Sequence, residues 1–236
     1  MFIILIFIFL ICLYFYPMLS ASLVFIERDL SAFFIPPRYL WVTLMKSFQM
    51  PLWNPYNSSG IPLLATLQPG ICYPPHVFYI FLPFNLVWNW MIILHFVFSG
   101  VTVYMFLRYI KASRSASCVG GIIFMLSGYL FSIHSLLTHL LSVPWVPLVL
   151  MFFLKYLESK RTKYIVLTGI FLSMEFLAGA PEIVIINLFV LGIISLFSGI
   201  FITEKVSISL RLKAIIFTGI IFLNPSWPSP PEIWVK

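Results

Sequence analysis

Long apolar runs separated by short polar stretches dominate the sequence. Six of them approach or exceed the 17 to 25 or so residues with which a helix crosses a bilayer core. They are Phe2–Phe25, Leu86–Leu107, Ser115–Ile133, Leu136–Leu154, Tyr164–Ala180 and Ile183–Ile202. A shorter seventh, Ala214–Leu223, reads as a partial crossing. Pro144 and Pro147 predict a kink in the fourth run, because proline removes a helical donor and crowds the preceding turn. Between the first two runs lies the longest segment without a span, residues 26–76. Its first part, Leu30 to Phe48, mixes aromatics and leucines with Arg38 and Lys46, as a helix lying at a lipid headgroup plane does. Pro36-Pro37 predicts a break or restart there. The second part, from Met50 to Pro75, is rich in Pro, Gly, Asn and Ser and carries Trp53, Tyr56 and Tyr73. That composition predicts an ordered, tightly turned loop at an interface. The pattern therefore predicts an all-α polytopic transmembrane bundle of six to seven spans over residues 1–223, followed by an irregular proline-rich tail over 224–236.

Composition agrees with this reading. Of the 236 residues, 61% are hydrophobic and 9% charged, against about a quarter charged in an ordinary soluble domain. A core of this size cannot enclose so much apolar surface, so lipid must solvate most of it. The net charge of +7 resides in short clusters between spans rather than in a basic domain, which argues against nucleic acid. Arg108, Lys111 and Arg114 follow the second run, Lys155, Lys160, Arg161 and Lys163 the fourth, and Lys205, Arg211 and Lys213 the sixth. These ten of the fourteen basic residues fall on one side, which the positive-inside rule places in the cytoplasm. The N-terminus is then cytoplasmic and the loop 26–76 faces outward. Ser20-Ala21-Ser22 resembles a signal cleavage site, but the missing basic n-region and the long apolar stretch favour an uncleaved anchor. Cys12, Cys72 and Cys118 form no CxxC pair, so neither a disulfide framework nor a zinc site is expected.

Candidate chemistry gathers where the first run ends. Glu27, Arg28 and the sole aspartate, Asp29, stand together there. Three roles fit two carboxylates at that boundary: oxygen ligands for a divalent cation, a general base for an acceptor hydroxyl, or a marker of the water boundary with Arg28 as ion partner. Arg28, Arg38 and Lys46 are outer basic residues, and an arginine fork suits a lipid phosphate as well as general headgroup contact. Glu175 lies inside the fifth run, where an acid is costly and functionally suspect, and Glu182 follows shortly after. His134 and His139 flank the short turn between the third and fourth runs at a spacing poor for a metal; His95 lies inside the second run.

The first outer loop resembles the start of the YfhO-like bacterial membrane proteins, which belong with the GT-C-fold glycosyltransferases. The resemblance rests on "ERDLSAFFIPPRYL", "PLWNPYNSSGIPLLATLQPGICYPP" and "FLPFN", and covers about residues 25–110. "LAGAPE", Leu177–Glu182, resembles a later outer-turn motif in which the family more often carries Gln at the last position. The resemblance implies a bacterial plasma-membrane enzyme that moves a sugar from a polyprenyl-phosphate carrier to a cell-envelope acceptor at the outer face. It implies catalytic roles for Asp29 and Glu27, with a divalent cation, if used, on the same pair. It implies substrate and phosphate contacts from Arg28, Arg38, Trp53, Asn54, Tyr56, Gln68 and Glu182. Members of the family are usually much longer, so the sequence reads as the N-terminal part of such an enzyme. A transporter or flippase subunit, with Glu175 and His95 facing one cavity, and a non-catalytic membrane scaffold remain the competing readings.

Overall fold

The computed structural model describes residues 2–20, 23–57 and 59–197, and it is mostly helical. The elements are α1 (Phe2–Tyr14), α2 (Ile35–Lys46), β1 (Trp53–Asn54), β2 (Ile61–Pro62), α3 (Phe78–Phe81), α4 (Phe84–Tyr109), α5 (Arg114–Met125), α6 (Gly128–Ile133), α7 (Leu137–Ser142), α8 (Val146–Ser159), α9 (Thr162–Leu177) and α10 (Pro181–Leu196). Among the described residues, three stretches are long and apolar enough to cross a membrane: α4, the α5–α6 run and the α7–α8 run. At 1.5 Å per residue, α9 and α10 each span about 24 Å, short of a hydrocarbon core of about 30 Å. The expected span Ala214–Leu223, the tail 224–236 and the end of the sixth run lie outside the described residues.

The first run differs from expectation. Its helix stops at Tyr14 rather than continuing to Phe25, and a 3-10 turn follows over Tyr16–Met18. Pro17 lies in that turn and cannot donate to the α ladder. The backbone beyond it is taken up by one buried side chain. The Asn89 amide nitrogen on α4 donates to the carbonyls of Met18, Ser20 and Leu23 at 2.9, 3.2 and 2.6 Å, and its oxygen accepts from the Phe25 N–H at 3.3 Å. Trp88, the preceding residue, donates to the Phe25 carbonyl. An amide can thus replace the helical ladder with four tertiary bonds, and it fixes where the chain emerges toward Glu27.

The prolines of the fourth run act as expected. Pro144 lies in a 3-10 turn, Val143–Trp145, and Pro147 falls in the first turn of α8, where a missing N–H costs nothing. The core forms two apolar clusters. One packs α1, α4, α5 and the underside of the long loop; the other packs α8, α9 and α10. In the first, α4 and α5 approach backbone to backbone at Gly100 and Gly121. A methyl group at Gly121 would stand 2.8 Å from the Gly100 carbonyl and 2.7 Å from the Phe7 ring of α1, so only glycine admits all three helices there.

Within segment 26–76 the described residues form short turns and short elements. A π-helical turn over Leu30–Phe34 runs directly into α2, with Pro36 and Pro37 in the first turn of the α-helix. The Ile35 N–H bonds the Leu30 carbonyl, five residues back. Proline occupies the positions four and five beyond Ala32, so the Ala32 carbonyl has no helical donor of either spacing. The strands β1 and β2 form a small antiparallel pair, Trp53 opposite Pro62 and Asn54 opposite Ile61.

Candidate functional site

The long loop encloses a cleft of about 600 Å³. Its first wall is the π turn and α2, through Ala32, Phe33, Pro36, Pro37, Tyr39, Leu40 and Thr43. The hairpin and the segment after it form the second wall, through Asn54, Tyr56, Asn57, Ile61, Leu63, Thr66 and Gln68. The volume lies within the range of small-molecule sites. Among the described residues, no Asp, Glu, Lys, Arg or His lines it. Its polar equipment consists of amides and hydroxyls, set among prolines, aliphatics and two tyrosines. Asn54 is buried, and its oxygen accepts from the Tyr56 N–H at 3.0 Å, which holds the turn that presents Tyr56. Tyr56 itself is 85% exposed. Trp53 lies outside the lining and packs over Gly60, which has φ +96°. Such a cleft suits a neutral, hydroxylated ring: apolar faces for its C–H surface, amides for its hydroxyls, and no charge.

Arg38 braces this cleft from behind. Although a phosphate contact is implied for it, its side chain is fully buried. Nε donates to the Pro69 carbonyl at 3.1 Å and Nη2 to the Gln68 carbonyl at 3.3 Å, and the guanidinium lies 5.5 Å from the centre of the Trp88 ring. It thereby fastens the Gln68 wall to the α2 wall. Burial pulls its pKa below the usual arginine value, partly offset by the neighbouring Tyr79 hydroxyl. Tyr79 is in turn pushed up to about 12 by burial.

The acids stand outside the cleft lining. Glu27 is half exposed, and its Oε2 lies 2.9 Å from His134 Nε2. His134 Nδ1 faces the Phe131 carbonyl at 2.5 Å. A ring donating through Nδ1 to a carbonyl presents a bare Nε2, so this contact needs one further proton, on the imidazole or on the carboxyl. Arg28 stands at a sharp left-handed corner, φ 47°, with Nε 4.0 Å from Glu27 Oε1. Asp29 is exposed and caps the π turn without a side-chain bond. It precedes Ala32 and Phe33 of the cleft wall by three and four residues. Glu182, in the first turn of α10, pairs with His139 Nε2 at 3.0 Å. The structure thus brings Asn54, Tyr56 and Gln68 together at the cleft. It places Glu27, Arg28 and Asp29 in a neighbouring cluster and Glu182 on a different contact. Among the described residues, no group of three or more His, Cys, Asp or Glu is arranged to hold a metal ion. Glu27 and Asp29 alone offer a cation few protein oxygens.

Two buried networks escape a reading of the sequence. Trp145 Nε1 donates to the Tyr73 hydroxyl at 3.0 Å, that hydroxyl meets His95 Nε2 at 2.8 Å, and His95 Nδ1 meets the Met91 carbonyl at 2.6 Å. This series ties the outer loop to α4 and to the turn before α8. Separately, Asn187 of α10 donates to Glu175 Oε2 at 2.9 Å, and Ser142 donates to the Glu175 carbonyl. His95 and Glu175 therefore belong to different hydrogen-bond sets. Polar residues inside apolar runs are the signal that points to both networks, and to Asn89; their partners are set by tertiary packing. Compared with known proteins, the chain matches no family model, no curated protein and no solved structure.

Proposed function

We propose that the chain is a membrane-embedded glycosyltransferase, or the N-terminal part of one, that moves a sugar from a polyprenyl-phosphate carrier to a cell-envelope acceptor at the outer membrane face. The observation that carries this reading is the uncharged, amide-bearing cleft beside an exposed carboxylate cluster. In this reading the sugar ring lies against Tyr39 and Tyr56, with Asn54 and Gln68 bonding its hydroxyls. The acceptor hydroxyl attacks the anomeric carbon, and the carrier phosphate leaves with the bonding electron pair. Asp29 takes the acceptor proton. Glu27, held by His134, assists it or contributes to a divalent cation site. Arg28, exposed beside them, neutralises the departing phosphate. Arg38 acts through the cleft wall. The protein then sits in a bacterial plasma membrane with six to seven spans, its N-terminus in the cytoplasm and loop 26–76 outside.

Two measurements test this. In membranes containing the full-length protein, radiolabelled polyprenyl-phosphate hexoses should yield labelled acceptor, and Asp29→Asn should abolish that transfer while insertion is unchanged; normal transfer by the variant removes Asp29 from the mechanism. For orientation, Cys72 is the exposed cysteine among the three. With Cys12 and Cys118 replaced by alanine, an impermeant maleimide should label intact cells. Labelling only after lysis would invert the topology.

A further inference from the structure

We infer that one water molecule is enclosed between α2 and α3, accepting hydrogen bonds from Arg38 Nη1 and Trp41 Nε1 and donating to His76 Nε2 and the Tyr79 hydroxyl. Six buried side-chain polar atoms lack a partner among the described residues, and these are four of them. The four residues are neighbours. Arg38 and Trp41 lie one turn apart on α2; His76 and Tyr79 lie one turn apart across the 3-10 turn Pro74–Val77 and α3. Ring centres are 6.5 Å apart for Trp41 and His76, 6.1 Å for Trp41 and Tyr79, and 5.5 Å for His76 and Tyr79. A Cβ at Gly70 would meet His76 Cε1 at 2.6 Å and Arg38 Nη2 at 3.5 Å, so imidazole and guanidinium flank the same small backbone gap. The Tyr79 hydroxyl is close enough to Arg38 for the guanidinium to act on it both as a charge and as a hydrogen-bonding neighbour, yet neither that hydroxyl nor Arg38 Nη1 has a partner at hydrogen-bond distance. Polar groups at that separation are commonly joined through water.

Donor and acceptor character selects the occupant. The Arg38 and Trp41 nitrogens only donate. His76 Nδ1 is 2.7 Å from the Gly70 carbonyl, so its proton is there and Nε2 presents a lone pair. The Tyr79 oxygen can accept. Two donors and two acceptors are the complement of a single water. An anion would face the Nε2 lone pair, and burial together with the Arg38 charge holds His76 well below its ordinary pKa, so that lone pair stays unprotonated. The Arg38 charge is instead met by two carbonyls and the Trp88 face.

The test is a structure of the full chain in lipid at a resolution that shows ordered water, determined with bromide as the only halide. The expected result is a single peak within about 2.6–3.2 Å of all four atoms and without anomalous signal. A bromide peak would make the site an anion site and overturn the proposal. No peak, or direct bonds among the four groups, would overturn it equally. Stability supplies a second sign. Removing a water-held hydroxyl by Tyr79→Phe should lower Tm by several degrees, about the scale of one lost buried hydrogen bond. An unchanged or higher Tm, as expected for deleting an unbonded hydroxyl, would refute it.

Discussion

Replacing Asn89 with leucine tests how the first helix is terminated. The substitution keeps side-chain size nearly constant and removes four hydrogen bonds to the segment from Met18 to Phe25. Each is worth roughly 1 kcal/mol net. Ser20 and Leu23 are exposed, so their carbonyls can find water and much of their share is recovered. Phe25 is buried, and its stranded N–H carries a desolvation penalty of about 1–3 kcal/mol. The leucine regains part of this by burying apolar atoms in place of an amide. The net loss is about 2 kcal/mol, or roughly 4–8 °C in Tm for a domain of this size. Asn89→Asp sharpens the test. It preserves shape and the bond to Phe25, but sets an anion against three carbonyls, so it should cost more than leucine. Thermal unfolding in nanodiscs reads both, and hydrogen exchange should show the Phe25 amide opening faster. If Asn89→Leu melts with the wild type, or the aspartate variant is the milder of the two, the side chain does not terminate α1.

Other outcomes follow from the same geometry. His76 is held below its ordinary value of about 6.5 by burial first and the Arg38 charge second. The folded state therefore refuses a proton that the unfolded chain accepts, so its stabilising contribution is complete above pH 6.5 and falls by up to about 1.4 kcal/mol per unit as pH drops toward the folded value. Urea titrations from pH 7.5 to 5 should show that slope, and His76→Gln should flatten it. Gly60→Ala would put a Cβ 2.4 Å from the Trp53 ring at φ +96°, which costs about 1–3 kcal/mol and should open the hairpin to limited proteolysis; an unchanged digestion pattern would show that Trp53 does not pin this turn.

Much of the architecture is readable from runs of apolar residues, because the length needed to cross a bilayer is a local property. Three helical stretches stand where such runs predict them, and the interruption of the fourth run sits on its two prolines. The restart at Pro36-Pro37 is local too, since it depends only on missing donors. What escapes is tertiary. Nothing near Phe25 reveals that an amide 64 positions later binds it. Arginine is expected at surfaces, and only the fold shows that Arg38 is buried against the Gln68 and Pro69 carbonyls. At the candidate site, Asn54, Tyr56 and Gln68 converge because the hairpin and the segment after it carry all three on one wall, facing α2. Glu27 and Glu182 acquire histidine partners from the end of α6 (His134) and from α7 (His139), a pairing that no spacing along the chain encodes.

The Trp145–Tyr73–His95–Met91 series has a direction. An indole nitrogen can only give a proton, so the phenol oxygen that receives it passes its own hydrogen onward, and the imidazole must be bare at Nε2 and protonated at Nδ1. Four groups from three parts of the fold thus share one polarity, and reversing either of the inner two, Tyr73 or His95, breaks two bonds at once. The seating of the outer loop on the helices beneath it therefore rests on the tautomer of a single ring. A cation at His95 would leave the phenol with two donors aimed at it and no acceptor for its own hydrogen.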